Sequence, residues 1–340
     1  MPETSVAASI IIDLVHQLEG RGIASAELCR RARIDPAILS RPHDRLPGSG
    51  AERVWAAAET LTGDPLLGLH VAERFRTGAI SILGYVVLNC PTAGAALERL
   101  GRFARLLNDG MRVRLDREDG LAIVRFEAIE GSANALRLAG RHPFESTLAG
   151  TLLTLRSLTG AATVPVQAWF RHPAGGDLAE YDRIFGTRVR FGMPEHRLAF
   201  REAELERRIP AADPSLLALF DRHAVGRLDE LDRLGGTSQR VSRLLGARLT
   251  GAVPAVGAIA RELAMSARQL QRKLREEDTS YQQLLDAARR ELALAQLRVP
   301  GVTAAEVALL LGYAEAGAFT RAFRRWTGTT PGAWATNADA

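Results

Sequence analysis

A pattern that occurs twice in the last hundred residues constrains this chain more than any other feature. Its first copy, Ile259 to Arg275 (IARELAMSARQLQRKLR), opens as a short helix with apolar steps at Ile259, Ala260 and Leu263. It turns at Ala264 and Met265 and restarts at Ser266, after which Leu270 and Leu274 share one side while Arg268, Gln269, Gln271, Arg272 and Arg275 lie elsewhere. The second copy starts at the capping box Thr303-x-x-Glu306, runs through Val307, Ala308 and Leu311, turns at Gly312-Tyr313 and ends in a helix carrying Phe319 and Phe323. Ala260 matches Ala308, Leu263 matches Leu311, Leu270 matches Phe319 and Leu274 matches Phe323, with one extra residue in the second turn. The paired alanines let the two helices of each unit cross closely. Such a pair of helices is the helix-turn-helix, whose second helix lies in a DNA major groove. Arg and Gln can make two hydrogen bonds to a guanine or adenine edge. A generic helical hairpin has the same period, so one copy decides little; two in register argue against chance.

Between the copies, Ser280-x-x-Gln283 is a capping box that opens a helix through Leu284, Leu285, Ala288, Leu292 and Ala295 to about Leu297, ended by Pro300-Gly301. About 18 residues at 1.5 Å rise give roughly 27 Å, comparable to the ~34 Å repeat of B-DNA. Recognition helices starting near Ser266 and Ala316 would then enter successive major grooves, with some bending of the DNA.

Charge points the same way. From Gly236 onward the chain has 14 basic and 9 acidic residues, against 30 of each before it, so the net +5 sits in the last third of the 340 residues. A solvated basic face is the plain explanation; beside a helix-turn-helix, a polyanion-binding face is the stronger one. Periodicity breaks at Gly235-Gly236-Thr237-Ser238, which reads as the linker. The expected domains are 1–234 and 235–340, with helix-turn-helix units at about 256–276 and 304–327.

The first domain reads as α+β: helices around a small, mostly antiparallel sheet. Residues 5–75 look all-helical, with a loop at Arg41–Gly50. Thr92 caps a helix to about Leu107, and Val113–Arg117 with Leu121–Phe126 form a hairpin around Asp119-Gly120. A long helix is expected from Asn134 to Leu158, interrupted at Pro143, then a strand at Val164–Phe170 and short elements to Phe200. Asp213-Pro214 starts a helix whose stripe includes Leu216, Leu219, Phe220, Leu228 and Leu231; it packs on its own domain or pairs with a second chain.

Little points to catalysis or a metal. The seven histidines lack ligand spacing, Cys29 and Cys90 read as buried reduced thiols, and no cofactor motif or nucleophile motif appears. There is no signal segment or run of about 18 apolar residues, so a soluble, cytoplasmic protein without a membrane partner is expected. Trp169, Phe170 and His172, at a strand end, either line a small-molecule pocket or belong to the core.

The segments AMSARQLQRKLREEDTSYQQLLDAARRELA and VTAAEVALLLGYAEAGAFTRAFRRWTGTTPGAW resemble the double helix-turn-helix of the AraC/XylS family of bacterial transcription regulators. The phrases GRGI, DPAILS, RLP, LTGDPLLGL, FRHPAGGDLAEYDRIFG and VRFG are similar to the arabinose-binding-type N-terminal domain of one subgroup. The resemblance implies an all-α C-terminal domain that binds double-stranded promoter DNA and engages RNA polymerase. It implies an N-terminal domain that senses a small-molecule effector or makes a homodimer, and usually activation of transcription. Carried over by position, it implies base contacts from Arg268, Gln271 and Arg272, with Ser266 as N-cap and phosphate contact and Gln269 and Arg275 on the same helix. In the second unit it implies contacts from Thr320 and Arg321, with Arg324 and Arg325 toward phosphate or solvent. The chain departs from the family at Ala316-Gly317-Ala318, where polar residues are common, so the first unit is expected to supply most sequence discrimination. Trp326 and Trp334 read as core aromatics. An enzyme-like N-terminal domain fused to a DNA-binding module is the alternative.

Overall fold

The computed structural model describes residues 4–75, 78, 81–128, 140–249, 251–297, 301–313 and 315–338. The chain divides into two units, the first ending at Leu231 and the second running from Asp232 onward.

The first unit opens with a three-residue strand, β1 (Ser5–Ala7), paired antiparallel with β2 (Arg45–Pro47). Around them stand α1 (Ala8–Glu19), α2 (Ser25–Ala32), α3 (Gly48–Thr62) and α4 (Leu67–Glu73). Residues 5–75 are therefore not all-helical, and the loop expected at Arg41–Gly50 holds β2 and the start of α3. Strands of three residues carry no alternation to detect. Side-chain bonds hold this pair: the Arg45 guanidinium donates to Ser5 O at 2.8 Å and to Leu106 O at 2.9 Å. The helix α5 (Ile82–Leu88) was not expected; its sequence ILGYVVL is apolar on nearly every side and has no helical stripe to read.

Thr92 caps α6 (Ala93–Phe103), its Oγ1 accepting from Ala95 N at 3.2 Å. The hairpin β3 (Met111–Glu118) and β4 (Leu121–Ala128) turns at Asp119 and Gly120, with φ of +50° and +74°, the conformation that a two-residue hairpin turn requires. The next helix, α7 (Arg141–Thr159), is not broken at Pro143. Pro143 is its third residue, where the missing N–H has no intrahelical partner to lose; Asn134 lies outside the described residues. There follow β5 (Gln167–Trp169), α8 (Leu178–Phe185), β6 (Val189–Arg190), β7 (His196–Arg201), α9 (Glu202–Leu205) and α10 (Pro214–Leu234). The sheet runs β3-β4-β7-β5-β6, antiparallel except for the β5–β6 pair. Phe144, Leu148 and Leu152 of α7 pack on Val124, Phe126, Leu198 and Phe200 to make the core. On α10 the inward residues are Leu217, Phe220, Ala224 and Leu228, whereas Leu216 and Leu219 are exposed.

The second unit is all-helical among the described residues: α11 (Thr237–Arg248), α12 (Val256–Glu262), α13 (Ala267–Glu276), α14 (Tyr281–Gln296), α15 (Ala304–Leu310), α16 (Ala316–Thr327) and α17 (Pro331–Ala338). The stretch at 235–238 is no loose linker. Gly236 is the N-cap of α11, and Thr237 and Ser238 are buried. At 16 residues α14 spans about 24 Å, slightly less than expected, and Pro300 lies outside the described residues. One core joins Ile259, Leu270 and Leu274 to Val307, Phe319 and Phe323, with Trp326 and Trp334 packed against it.

Candidate nucleic-acid interface

The two halves of the repeat fold alike. In the first, Met265 N donates to Ala260 O at 2.9 Å and Ala264 N to Arg261 O at 3.0 Å. In the second, Tyr313 N donates to Ala308 O at 2.9 Å and Gly312 N to Leu309 O at 3.0 Å. Ala264 and Gly312 both take left-handed backbone, φ +56° and +71°. The matched alanines and the six other matched apolar residues are all buried, so the inward face of each unit is used up by packing.

What remains outward on α13 is polar. Ser266, Arg268, Gln269, Gln271, Arg272 and Arg275 are all exposed. The helix starts with a complete capping box: Gln269 N donates to Ser266 Oγ at 3.2 Å, and Ser266 N donates to Gln269 Oε1 at 2.8 Å. Ser266 is thus the N-cap, and the Gln269 side chain is folded back on the cap, which leaves its amide nitrogen as the group free to point outward. Arg272 lies 3.6 Å from Glu276 in a solvent-exposed pair. Such a pair is worth little, so the guanidinium can leave it for a base edge at small cost.

The second recognition helix is plainer. Its N-cap Glu315 makes no side-chain cap bond, and the first turn is Ala316-Gly317-Ala318. Thr320 is half-buried and its hydroxyl donates to Ala316 O at 3.0 Å. Arg321 and Arg324 are exposed, and Arg325 lies 3.5 Å from Asp286 of α14. Acceptor or donor groups able to read a base are therefore fewer on α16 than on α13.

Two charged residues that sequence reasoning passed over set the posture of these helices. Arg289, on α14 and buried, donates from Nε to Leu311 O at 3.0 Å and lies over the Tyr313 ring at 4.3 Å. It closes the C-terminal carbonyls of α15 just where the turn to α16 begins. Glu277, at the end of α13, takes Thr237 N at 2.7 Å, Ser238 N at 2.9 Å and Ser238 Oγ at 2.5 Å. A carboxylate at a helix N-terminus is favoured by the unpaired amides there. Burial alone would raise its pKa; the Ser238 hydroxyl and the Thr237 and Ser238 amides outweigh that and hold it below the usual carboxylate range.

In the first unit, of the three residues that could line a pocket or belong to the core, Phe170 is core and Trp169 and His172 are half-buried. Phe170 is fully buried, 5.7 Å from the Phe185 ring and 5.8 Å from Phe191. Trp169 is covered by the Arg197 guanidinium at 3.3 Å from its centroid. His172 Nδ1 sits 2.8 Å from Pro173 O. Burial lowers the pKa of His172 and pushes His196, stacked on Phe144 at 3.9 Å, down to about 3, so both rings are neutral at physiological pH. None of Trp169, Phe170 and His172 lines a cavity that lies between α5, α6 and α7. Both cysteines are free and buried, and burial lifts the Cys90 thiol to about 11. No group of residues suited to a metal ion occurs among the described residues, and no described helix is long and apolar enough to cross a membrane.

Residues 22–209 match the model of the arabinose-binding domain at the N-terminus of AraC transcription regulators, and residues 259–337 match that of a helix-turn-helix domain. The chain is 33% identical over 329 residues to the ornithine utilization regulator of Pseudomonas aeruginosa, covering 95% of this chain and 93% of that one. It is 28% identical over 327 residues to the transcriptional regulator VirS of Mycobacterium tuberculosis, covering 94% and 92%. A crystal structure of the transcriptional regulator CdpR from Pseudomonas aeruginosa aligns over 91% of this chain and 95% of that one, at 24% identity and a TM-score of 0.42.

Proposed function

Because this chain belongs to the AraC family of DNA-binding transcription regulators, we propose that it reads promoter DNA with α13 and α16 in two successive major grooves and answers to a small-molecule effector. Residues 235–340 bind the DNA; residues 1–234 hold the effector or join two copies of the chain. The observation that carries this reading is the outward set Arg268, Gln271 and Arg272 on a helix whose inward face is filled by Leu270 and Leu274. Phosphate binding needs only positive charge, whereas glutamine and arginine side by side can read base edges. Arg275, Arg321 and Arg324 supply backbone contacts, Thr320 a minor one. The protein works in the cytoplasm as an activator that engages RNA polymerase, and effector binding shifts the population between arrangements of differing promoter affinity.

Selection of binding sites from a random-sequence pool tests the DNA reading. Arg272→Ala should relax the preference at one or two base positions, a loss of about 1–3 kcal/mol of discrimination. Thr320→Ala should leave the selected sequence almost unchanged. Equal loss from both variants would overturn the division of labour between the helices.

A further inference from the structure

A cavity of the first unit, between α5, α6 and α7, has a volume of about 170 Å³ and two unlike walls. One is apolar, with Leu83 and Val87 of α5 and Leu97 and Leu100 of α6. The other is a face of α7 on which Ser146, Thr147, Thr151 and Thr154 recur at helical spacing. An apolar cavity of roughly 150 Å³ takes up benzene, so this space suits one ring with a short substituent.

Three observations narrow what fits. The described residues that line the cavity are all uncharged. An ammonium or carboxylate lodged there would give up its hydration without a counter-charge. Next, two of the hydroxyl protons on this face of α7 are already used: Thr147 Oγ1 donates to Pro143 O at 2.7 Å and Thr151 Oγ1 to Thr147 O at 2.8 Å. Those oxygens retain only acceptor capacity, so a ligand that satisfies them brings the proton. Last, Gly150 sits between them in mid-helix, where glycine is unfavourable. A Cβ there would meet nothing within 4 Å, unlike Gly68 of α4, where one would lie 2.5 Å from His142 O. No close packing calls for glycine at 150; its missing side chain is cavity space.

We propose that this cavity is the effector site and that the effector is an uncharged, mainly apolar molecule of about eight to ten non-hydrogen atoms with one hydrogen-bond donor, of the phenol type. The inference rests on the effector-responsive reading given above and adds the site and the ligand chemistry.

Calorimetric titration of the full chain with 4-methylphenol, p-xylene and 4-methylbenzoate tests it, with promoter-DNA affinity measured alongside. 4-Methylphenol should bind, p-xylene about tenfold more weakly for want of the donor, and 4-methylbenzoate about a hundredfold more weakly or not at all. Gly150→Phe, which fills the space, should abolish binding; Gly150→Ala should retain it and melt at a higher temperature. If Gly150→Phe fails to fold, Gly150→Leu takes its place. The proposal is overturned if the benzoate binds as well as the phenol, if no neutral probe binds, or if a folded Gly150→Phe or Gly150→Leu protein binds as wild type does. DNA affinity separates the two claims. A metabolite that shifts promoter affinity equally in wild type and Gly150→Phe keeps the regulator reading and overturns this site. Binding of 4-methylphenol that is lost in Gly150→Phe, with no effector of any kind altering promoter affinity, confirms the cavity's chemistry and removes the effector reading.

Discussion

The first helix-turn-helix unit turns through an alanine with φ +56° and the second through a glycine with φ +71°, and around those matched turns the two units are braced by opposite charges. In the first, the Glu277 carboxylate leaves the end of α13 and takes the amides that start α11. In the second, the Arg289 guanidinium leaves α14 and takes carbonyls that end α15. Each charge meets the helix end whose unpaired groups attract it. The outward faces differ as well: α13 carries polar residues and a full capping box, α16 starts with Ala316-Gly317-Ala318 and no side-chain cap. The two units thus share a backbone while their supports and their outward chemistry differ. That difference is what the proposed reading uses, with the first copy discriminating and the second holding its place.

The largest test of that comparison is Arg289→Met, which keeps the aliphatic stem and removes the guanidinium. Leu311 O, accepting at 3.0 Å, and Gly312 O, accepting at 3.5 Å, would lose a buried charged donor. The expected loss is about 2–4 kcal/mol. Hydrogen exchange should show the amides of α15 and α16 opening sooner while those of α12 and α13 keep most of their protection. Equal loosening in both units would mean that they are not separately braced.

A smaller pair of substitutions exchanges the turn residues. Gly312→Ala places a Cβ 2.9 Å from Val253 Cγ2 and 3.2 Å from Val253 N, on backbone of positive φ. Strain of that kind costs about 1–2 kcal/mol. Ala264→Gly relieves the same strain in the other unit and pays more chain entropy, so its effect should be under about 1 kcal/mol and stabilising if anything. Denaturant titration of both variants gives the comparison. Two losses of equal size would show that the turns are not equivalent, whatever their matching hydrogen bonds.

How far the sequence announced this depends on how local each cause is. Ser266, Thr303 and the apolar steps from Ile259 to Phe323 act within a turn or two of helix, so spacing exposed both units and their caps. Thr92 and Asp119-Gly120 were legible for the same reason. Arg289 was not, because it meets carbonyls 22 and 23 residues away and stands beside Arg290 as any solvated arginine would. Glu277 reaches back 39 and 40 residues. The β1–β2 pair spans a similar distance, and three residues of strand leave no alternation in the sequence. Aromatics mislead in a related way: Phe170 has the same composition signal in a pocket as in a core, and only the fold shows it packed on Phe185 and Phe191. The cavity wall was hidden twice over, since α5 lacks a stripe and α7 displays Ser and Thr in a row that reads as a solvated face.

A modest effect also belongs to Glu277, and pH gives it a signature that the other substitutions lack. Its folded pKa is depressed, so its contribution is present above the unfolded value and fades as pH falls through the folded one. The unfolded value is about 4.3, which puts the window at pH 4 and below. Glu277→Gln keeps the shape, offers one acceptor oxygen in place of two and removes the charge facing the α11 amides. Partial exposure screens the interaction, so the loss near neutral pH should be about 1 kcal/mol. As acid protonates Glu277, wild type and variant should converge, because a neutral carboxyl and an amide present nearly the same groups to Thr237 and Ser238. Denaturation curves at pH 7 and pH 3.5 measure the gap. A gap that stays constant across that range would mean that shape, not charge, seats α11 on the first unit, and the symmetry of one anion and one cation bracing the two copies would be lost.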